Sequence, residues 1–213
     1  MMAGEDDIEY FFLKEDDFDE VVAFLAEDYF QREPITLGTH ANKKCEPGKG
    51  RMGEDVRRCL KSGLSVGARD RKSGQLIGLR VSNLLDREKP FKSTQPCNEF
   101  EELYRIAEHV VNHVYEEKAD KFLMLFLLSV HKDYGARGIA GEMVKMSMEA
   151  GYSQGAQIAF TCISNVLSGK VFEKLGFKKG FALEYEKPGH DFKLDLTKMH
   201  GNKVAYLVTK ELP

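Results

Sequence analysis

A mixed, mostly antiparallel sheet flanked by helices, the α/β class, is the fold the sequence predicts, and three observations lead to it. Lys121 to Val130 reads KFLMLFLLSV, an apolar run too short to span a membrane and suited to a strand buried on both faces, hence central in a sheet. That run passes through a glycine-bearing turn into a helix, and then a second strand (Ala156 to Ser164) leads to a second helix (Asn165 to Leu175, closed by Gly176). Leu64 to Arg69 and Gln75 to Leu85 are strands joined by Asp70 to Gly74, a glycine-containing loop of hairpin length.

The other elements follow in order. Ile8 to Leu13 is a first strand, and Asp16 or Asp17 caps a helix with Phe18, Val21, Val22 and Leu25 as its apolar stripe. Pro34 ends regular helix there and leaves Glu33 in a kinked or loop-like connection. Thr39 to Arg51 is polar, basic and glycine-bearing, a mobile loop or solvated linker, before a short helix from Gly53 to Lys61. Asp86 to Phe100 reads as a connecting loop, and Glu99 to Ala119 as a long helix with Leu103, Ile106, Ala107, Val110, Val111 and Val114 inward. The helix after the central run should face inward through Ile139, Met143, Met146 and Ala150. Lys178 to Glu186 and Lys203 to Glu211 alternate as the last two strands.

The 213 residues, 42% hydrophobic and 31% charged, suit one compact domain over 1–213 with a substantial core. A net charge of −3 lacks the basic field that nucleic-acid binding needs, and no stretch is apolar and long enough to cross a bilayer. Cys45, Cys59, Cys97 and Cys162 are dispersed, without Cys-x-x-Cys pairing, and MMAGEDD is acidic rather than an apolar signal segment. The expectation is a cytoplasmic protein with reduced thiols, monomeric or weakly dimeric, binding neither nucleic acid nor membrane. His109 and His113 have zinc-like spacing, but Val110 stands where a zincin carries Glu; a solvated helix face is expected there, and no metal.

The turn Gly135 to Ala140 has a specific chemical use. The first turn of a helix leaves N–H groups unpaired and carries the positive end of the macrodipole, so it seats phosphate where glycine keeps side chains out of the way. A tight strand-to-helix connection without ligand accounts for one glycine equally well. YGARGIAGEMV and, further on, SNVLSGKVFEKLGF together resemble the acetyl-coenzyme A signature of the GCN5-related N-acetyltransferases. Gly138 and Ala140 match Arg/Gln-x-x-Gly-x-Gly/Ala, whereas Gly135 stands where Arg or Gln is usual; Asn165, Phe172, Glu173, Lys174, Gly176 and Phe177 match the later motif, with Ser168 in place of Ala. The Glu33-Pro34 pair after a first helix resembles the invertebrate arylalkylamine, or dopamine, N-acetyltransferases.

This resemblance implies a splayed central strand pair and transfer of acetyl from acetyl-coenzyme A to a small primary arylalkylamine of the dopamine, tyramine, tryptamine or serotonin type. It implies that Leu128, Ser129 and Val130 offer main chain to the cofactor, that Gly135, Ala136, Arg137, Gly138, Ile139 and Ala140 take its pyrophosphate, and that Asn165 also contacts it. An aliphatic amine has a pKa of about 10, so its proton must be removed before attack. The resemblance makes Glu33 the base, with Tyr29, Phe30 and Pro34 beside the amine; the bland alternative is a carboxylate that merely attracts the cation. Ser164 and Ser168 match two serines that those enzymes place beside the thioester sulfur, while Ser164 also reads as a helix N-cap and Ser168 as a small packing residue. Phe172 stands where many relatives carry a proton-donating Tyr. Arg137 reads equally as a surface cap, and Lys170 and Lys174 meet either the cofactor's 3′-phosphate or solvent. A polyamine or amino-acid acetyltransferase, or a coenzyme A-binding module without turnover, are the alternatives.

Overall fold

The structure, a computed structural model, describes residues 7–88, 96–187, 189 and 191–213. Seven strands make one sheet in the order β1-β2-β3-β4-β5-β7-β6. They are β1 (Ile8–Phe12), β2 (Val66–Asp70), β3 (Leu76–Asp86), β4 (Lys121–Val130), β5 (Ile158–Ile163), β6 (Lys178–Glu184) and β7 (Val204–Glu211). Every neighbouring pair is antiparallel except β4 and β5, which a helical crossover makes parallel. The expected mixed α/β sheet is therefore present, with the apolar 121–130 run at its centre.

The helices are α1 (Phe18–Phe24), α2 (Pro34–Gly38), α3 (Gly50–Lys61), α4 (Glu101–Val111), α5 (Ile139–Ser153) and α6 (Val166–Lys174). Residues of α1, the turn that follows it, α3 and α4, among them Val21, Leu25, Met52, Val56, Ile106 and Val110, share one core with Leu79, Val81 and Leu127. Val144 and Met148 of α5 and Phe172 of α6 pack with Leu123, Leu125 and Ala159 in another. The stripe expected for α5 is partly displaced: Ile139 and Met143 are buried, but Val144, Ser147, Met148 and Gly151 complete the inward face while Met146 and Ala150 are half-buried.

Several other boundaries move. The 99–119 helix is α-helical only over Glu101–Val111 and tightens to a 3-10 turn over Asn112–Glu116. The Thr39–Arg51 segment contains a 3-10 turn at Ala41–Lys44, and Gly50 and Arg51 already belong to α3. In the 86–100 connection, residues 89–95 lie outside the described residues, and Asn98–Phe100 forms a further short turn.

The sheet opens where β4 and β5 meet. They pair only from Phe122 opposite Ile158 to Met124 opposite Phe160. On the other side of β4, Val81 faces Leu127 and Ser82 faces Leu125, so Phe126 is an extra residue with no opposite number. Such a bulge bends and twists its strand, here away from β5. Thr161 Oγ1 donates to the Leu125 carbonyl at 2.7 Å and holds the apex of the fork. Burial along β4 consequently alternates, with Phe126, Leu128 and Val130 only half-buried, rather than being complete on both faces.

Gly53 shows how closely the chain is packed beside α3. A Cβ there would collide with the main-chain carbonyl of Gly48. Alanine ordinarily stabilises a helix interior relative to glycine. Here Gly53→Ala is expected to lower stability by about 1–3 kcal/mol, read as a reduced denaturant midpoint at unchanged slope.

Candidate active site

A cleft of about 550 Å³ occupies the opening between β4 and β5. Its walls come from the end of the first helical segment, the start of α2, the end of β4, the turn into α5 and the first turns of α6. A second hollow of about 680 Å³ lies beside the chain's C-terminal end and is lined by Glu116, Glu117, Lys118 and Tyr152 among others. Most of the residues singled out from the sequence line the first, among them Glu33, Ser164 and Ser168, and none lines the second.

Glu33 reaches that cleft through local backbone chemistry. Helix α1 widens into a π-type turn over Leu25–Tyr29, in which Phe30 N–H donates to the Leu25 carbonyl at 2.9 Å. Single π turns re-aim the residues that follow. Pro34 then opens a helix instead of ending one: it stands at the first position of α2, where its missing N–H is not needed, with Glu33 as N-cap. The Glu33 carboxylate accepts from Ile35 N–H (3.0 Å), Thr36 N–H (2.6 Å) and Thr36 Oγ1 (2.7 Å). A fourth donor is Ser164 Oγ, at 2.7 Å on Oε1. Glu33 is 6% exposed, and these bonds hold it in one orientation.

The helix-cap role considered for Ser164 belongs to Asn165, whose Oδ1 accepts from Leu167 N–H at 2.8 Å. Ser164, one residue earlier, is left to face Glu33. Ser168 also lines the cleft, with its Oγ donating to the Asn165 carbonyl at 2.8 Å. Tyr29 and Pro34 line the cleft as expected, but Phe30 does not: it has no exposed surface and packs between Tyr29 and Phe100 in the core. The expected place of Phe30 beside a substrate is taken by Tyr29 alone, because adjacent residues on a helical turn point in different directions. Burial and the neighbouring Glu33 raise the Tyr29 phenol well above its ordinary value, so it stays protonated at neutral pH.

The turn into α5 is exposed and has unusual backbone. Ala136 and Gly138 both take left-handed conformations, φ 60° and 79°. A Cβ on Gly138 would meet nothing within 4 Å, so it is φ that favours glycine there, and the space in front is open. The α5 ladder starts with Glu142 N–H donating to Gly138 O at 3.1 Å, which leaves the amides of Ile139, Ala140 and Gly141 ahead of it. The Ile139 side chain is buried in the core, so only its main chain faces the turn. Arg137 donates to the Asp133 carbonyl at 3.3 Å and lies 4.8 Å from the Tyr134 ring centroid, in keeping with a surface cap. Gly135, Ala136 and Ala140 line the cleft; Lys170 and Lys174 are exposed.

Leu128, Ser129 and Val130 line the cleft, as expected, on the edge of β4 that β5 has left. Two features carry no sign in the sequence reading. The first is Arg32, whose Nη2 donates to the Val130 carbonyl at 3.0 Å. Arg32 is held by an ion pair to buried Asp28, which also accepts from Ser129 Oγ at 2.9 Å. The second is Arg80 of β3, which lines the cleft although it is only 1% exposed. A charged residue inside the hydrophobic strand LIGLRVS is the signal that could have marked it.

Among the described residues no group of three or more metal-ligating side chains could hold a metal ion. The face carrying His113 is not simply solvated: its ring stacks on Phe181 at 3.7 Å and its Nδ1 lies 2.7 Å from Glu116 Oε1. No helix among the described residues is long and apolar enough to cross a membrane.

No protein-family model matches the chain. Solved structures do. Arylalkylamine N-acetyltransferase 2 of Aedes aegypti superposes with a TM-score of 0.78 at 16% identity, over 97% of this chain and 100% of that one. A putative arylalkylamine N-acetyltransferase 7 from the same mosquito gives 0.81 at 19% identity, over 97% and 88%. The fold is that of the GCN5-related N-acetyltransferases. A polyamine N-acetyltransferase of Drosophila melanogaster shares it too, with a TM-score of 0.77 at 16% identity over 97% of this chain and 100% of that one.

Cys162 provides a check on the cleft wall. It lines the cleft, and burial with Glu33 nearby pushes its thiol up to about 12. Only the thiolate reacts with alkylating agents. Its labelling by iodoacetamide, followed by peptide mass mapping, is expected to be at least about a hundredfold slower at pH 8 than that of a free cysteine with pKa about 8.5. The rate should rise about tenfold per pH unit up to pH 11 as the thiolate fraction grows; a pH-independent rate would contradict the buried environment.

Proposed function

We propose that the chain, as one domain over residues 1–213, transfers acetyl from acetyl-coenzyme A to a small primary arylalkylamine, with Glu33 as general base. The observation that carries this reading is the Ser164 Oγ hydrogen bond to Glu33 Oε1. It joins the end of β5 to the start of α2 and sets a carboxylate in the same cleft as the Gly138 turn. The shared N-acetyltransferase fold and the printed activities of the Aedes and Drosophila proteins support it.

Acetyl-coenzyme A fits the residues present. The open space before Gly138 and the amides that precede the α5 ladder suit a pyrophosphate. The β4 edge from Leu128 to Val130, free of β5, suits the extended amide-bearing arm of the cofactor. When bound, the cofactor supplies an activated thioester. Glu33 takes the proton of the incoming ammonium, directly or through water, and the neutral nitrogen attacks the thioester carbon. Main-chain N–H groups of the bulged β4 segment stabilise the oxyanion. Ser164 keeps Glu33 aimed, and Ser168, in the first turn of α6, returns a proton to sulfur.

The aromatic preference rests on the wall composition. Tyr29, Phe126 and Phe172 line the cleft, and among its described lining residues Glu33 is the only carboxylate. A polyamine would present a second cation with no acid to meet it, so a single-amine aromatic substrate suits the walls better.

A thiol-release assay with acetyl-coenzyme A and tyramine, dopamine, tryptamine, serotonin or spermidine tests the reading. Turnover is expected on the aromatic amines; tight cofactor binding without turnover on any amine would make the chain a coenzyme A-binding module. Glu33→Gln is expected to lower kcat by about 10²–10⁴-fold, most at low pH where little amine is neutral; an unchanged pH profile would remove Glu33 from the role. Gly138→Val should abolish cofactor binding measured by calorimetry, and retained affinity would mean that the phosphates lie elsewhere.

A further inference from the structure

Arg80 is a buried cation for which the reading above has no use. It stands on β3 opposite Leu128 of β4 and lines the cleft, yet only 1% of its surface is exposed. Its Nε and Nη2 have no hydrogen-bond partner among the described residues. The groups whose charge bears most on it are Tyr29 and Cys59, both themselves pushed up by burial and therefore neutral at pH 7. An isolated buried charge is costly, and such groups are ordinarily paired. A cation kept unpaired at the wall of a reaction cleft is suited to an anion that exists only during the reaction.

The position of Arg80 indicates which anion. Its guanidinium carbon lies 5.8 Å from the centroid of the Phe172 ring. Phe172 is four residues after Ser168 on α6, on the same helical face. Arg80 therefore lies by the α6 face that carries Ser168, while Glu33 enters the cleft from the start of α2. Phe172 has no proton to give.

We propose that Arg80 is a further catalytic residue, whose guanidinium pairs with the thiolate that leaves when the thioester is cleaved; this rests on the acyl-transfer reading. One proton of the ammonium goes to Glu33 and on to solvent. The nitrogen lone pair then forms the C–N bond, and the C–S bonding pair departs with sulfur, which is negative beside Arg80. The second nitrogen proton ends on that sulfur, giving the amide and the free thiol. Burial lowers the guanidinium only to about 9, so it remains a cation at neutral pH.

The test compares wild type, Arg80→Met and Arg80→Lys with two acetyl donors: acetyl-coenzyme A, and the acetyl thioester of an aromatic thiol, whose thiolate is stable without help. The acceptor is the best amine of the panel above. Arg80→Met is expected to lower kcat on acetyl-coenzyme A by about 10²–10³-fold, with KM for the donor little changed. The loss should shrink to less than about tenfold on the aromatic thioester, where the thiolate needs less stabilisation, and Arg80→Lys should recover part of the rate. Equal losses on both donors, or a change confined to KM, would overturn the proposal. Should Arg80→Met not fold, the wild-type enzyme alone decides: a weak dependence of kcat on leaving-group pKa supports the pairing, and a steep one refutes it. If wild type acetylates no amine while binding cofactor, the acyl-transfer reading itself fails, a result separable from full activity in Arg80→Met.

Discussion

Three residue pairs hold β4 to β5, from Phe122–Ile158 to Met124–Phe160, and beyond them the strands part. Backbone polar groups in a sheet interior must find partners, so the parting creates a demand as well as a space. Phe126 produces it by adding one residue to β4 against Val81 and Ser82, and Thr161 Oγ1 on the Leu125 carbonyl limits how far it runs. The lining of the cleft follows from this fork. Residues that would be buried under a continuous sheet, such as Phe126 and Leu128, come to face an opening, and a glycine turn that could have been a simple connection stands at its mouth.

Glu33 illustrates how a reactive group is held by ordinary structural means. The same carboxylate that faces the cleft caps α2, accepting both amides and the hydroxyl at its first turn. A cap contributes on the order of 1 kcal/mol to a helix, so stability and placement are coupled at this residue. Ser164 then ties the cap to β5, across the fork.

The fold class was legible because the period of apolar residues changes clearly along the chain: continuous in 121–130, helical in 101–111, alternating in 204–211. Glu33, Ser164 and Ser168 were legible through motif order, and the structure brings all three to one cleft. What was not legible depended on features without a local signature. The π turn at Leu25–Tyr29 rotates Tyr29 toward the cleft and Phe30 into the core, and no periodicity marks it. Asn165 rather than Ser164 takes the cap because β5 ends one residue before Ser164, a boundary that composition leaves open. The burial of Arg80 and the Asp28–Arg32–Ser129 group, whose ends lie about 100 residues apart, exist only once the sheet has folded.

The Arg32 contact with the Val130 carbonyl has a further consequence. A bare strand edge invites pairing with any extended segment, and proteins commonly guard such edges with charge. Here a half-exposed guanidinium is laid on the last carbonyl of β4, anchored by Asp28. A foreign β-strand would have to displace it and bury its charge, whereas a narrower ligand need only pass the carbonyls before it.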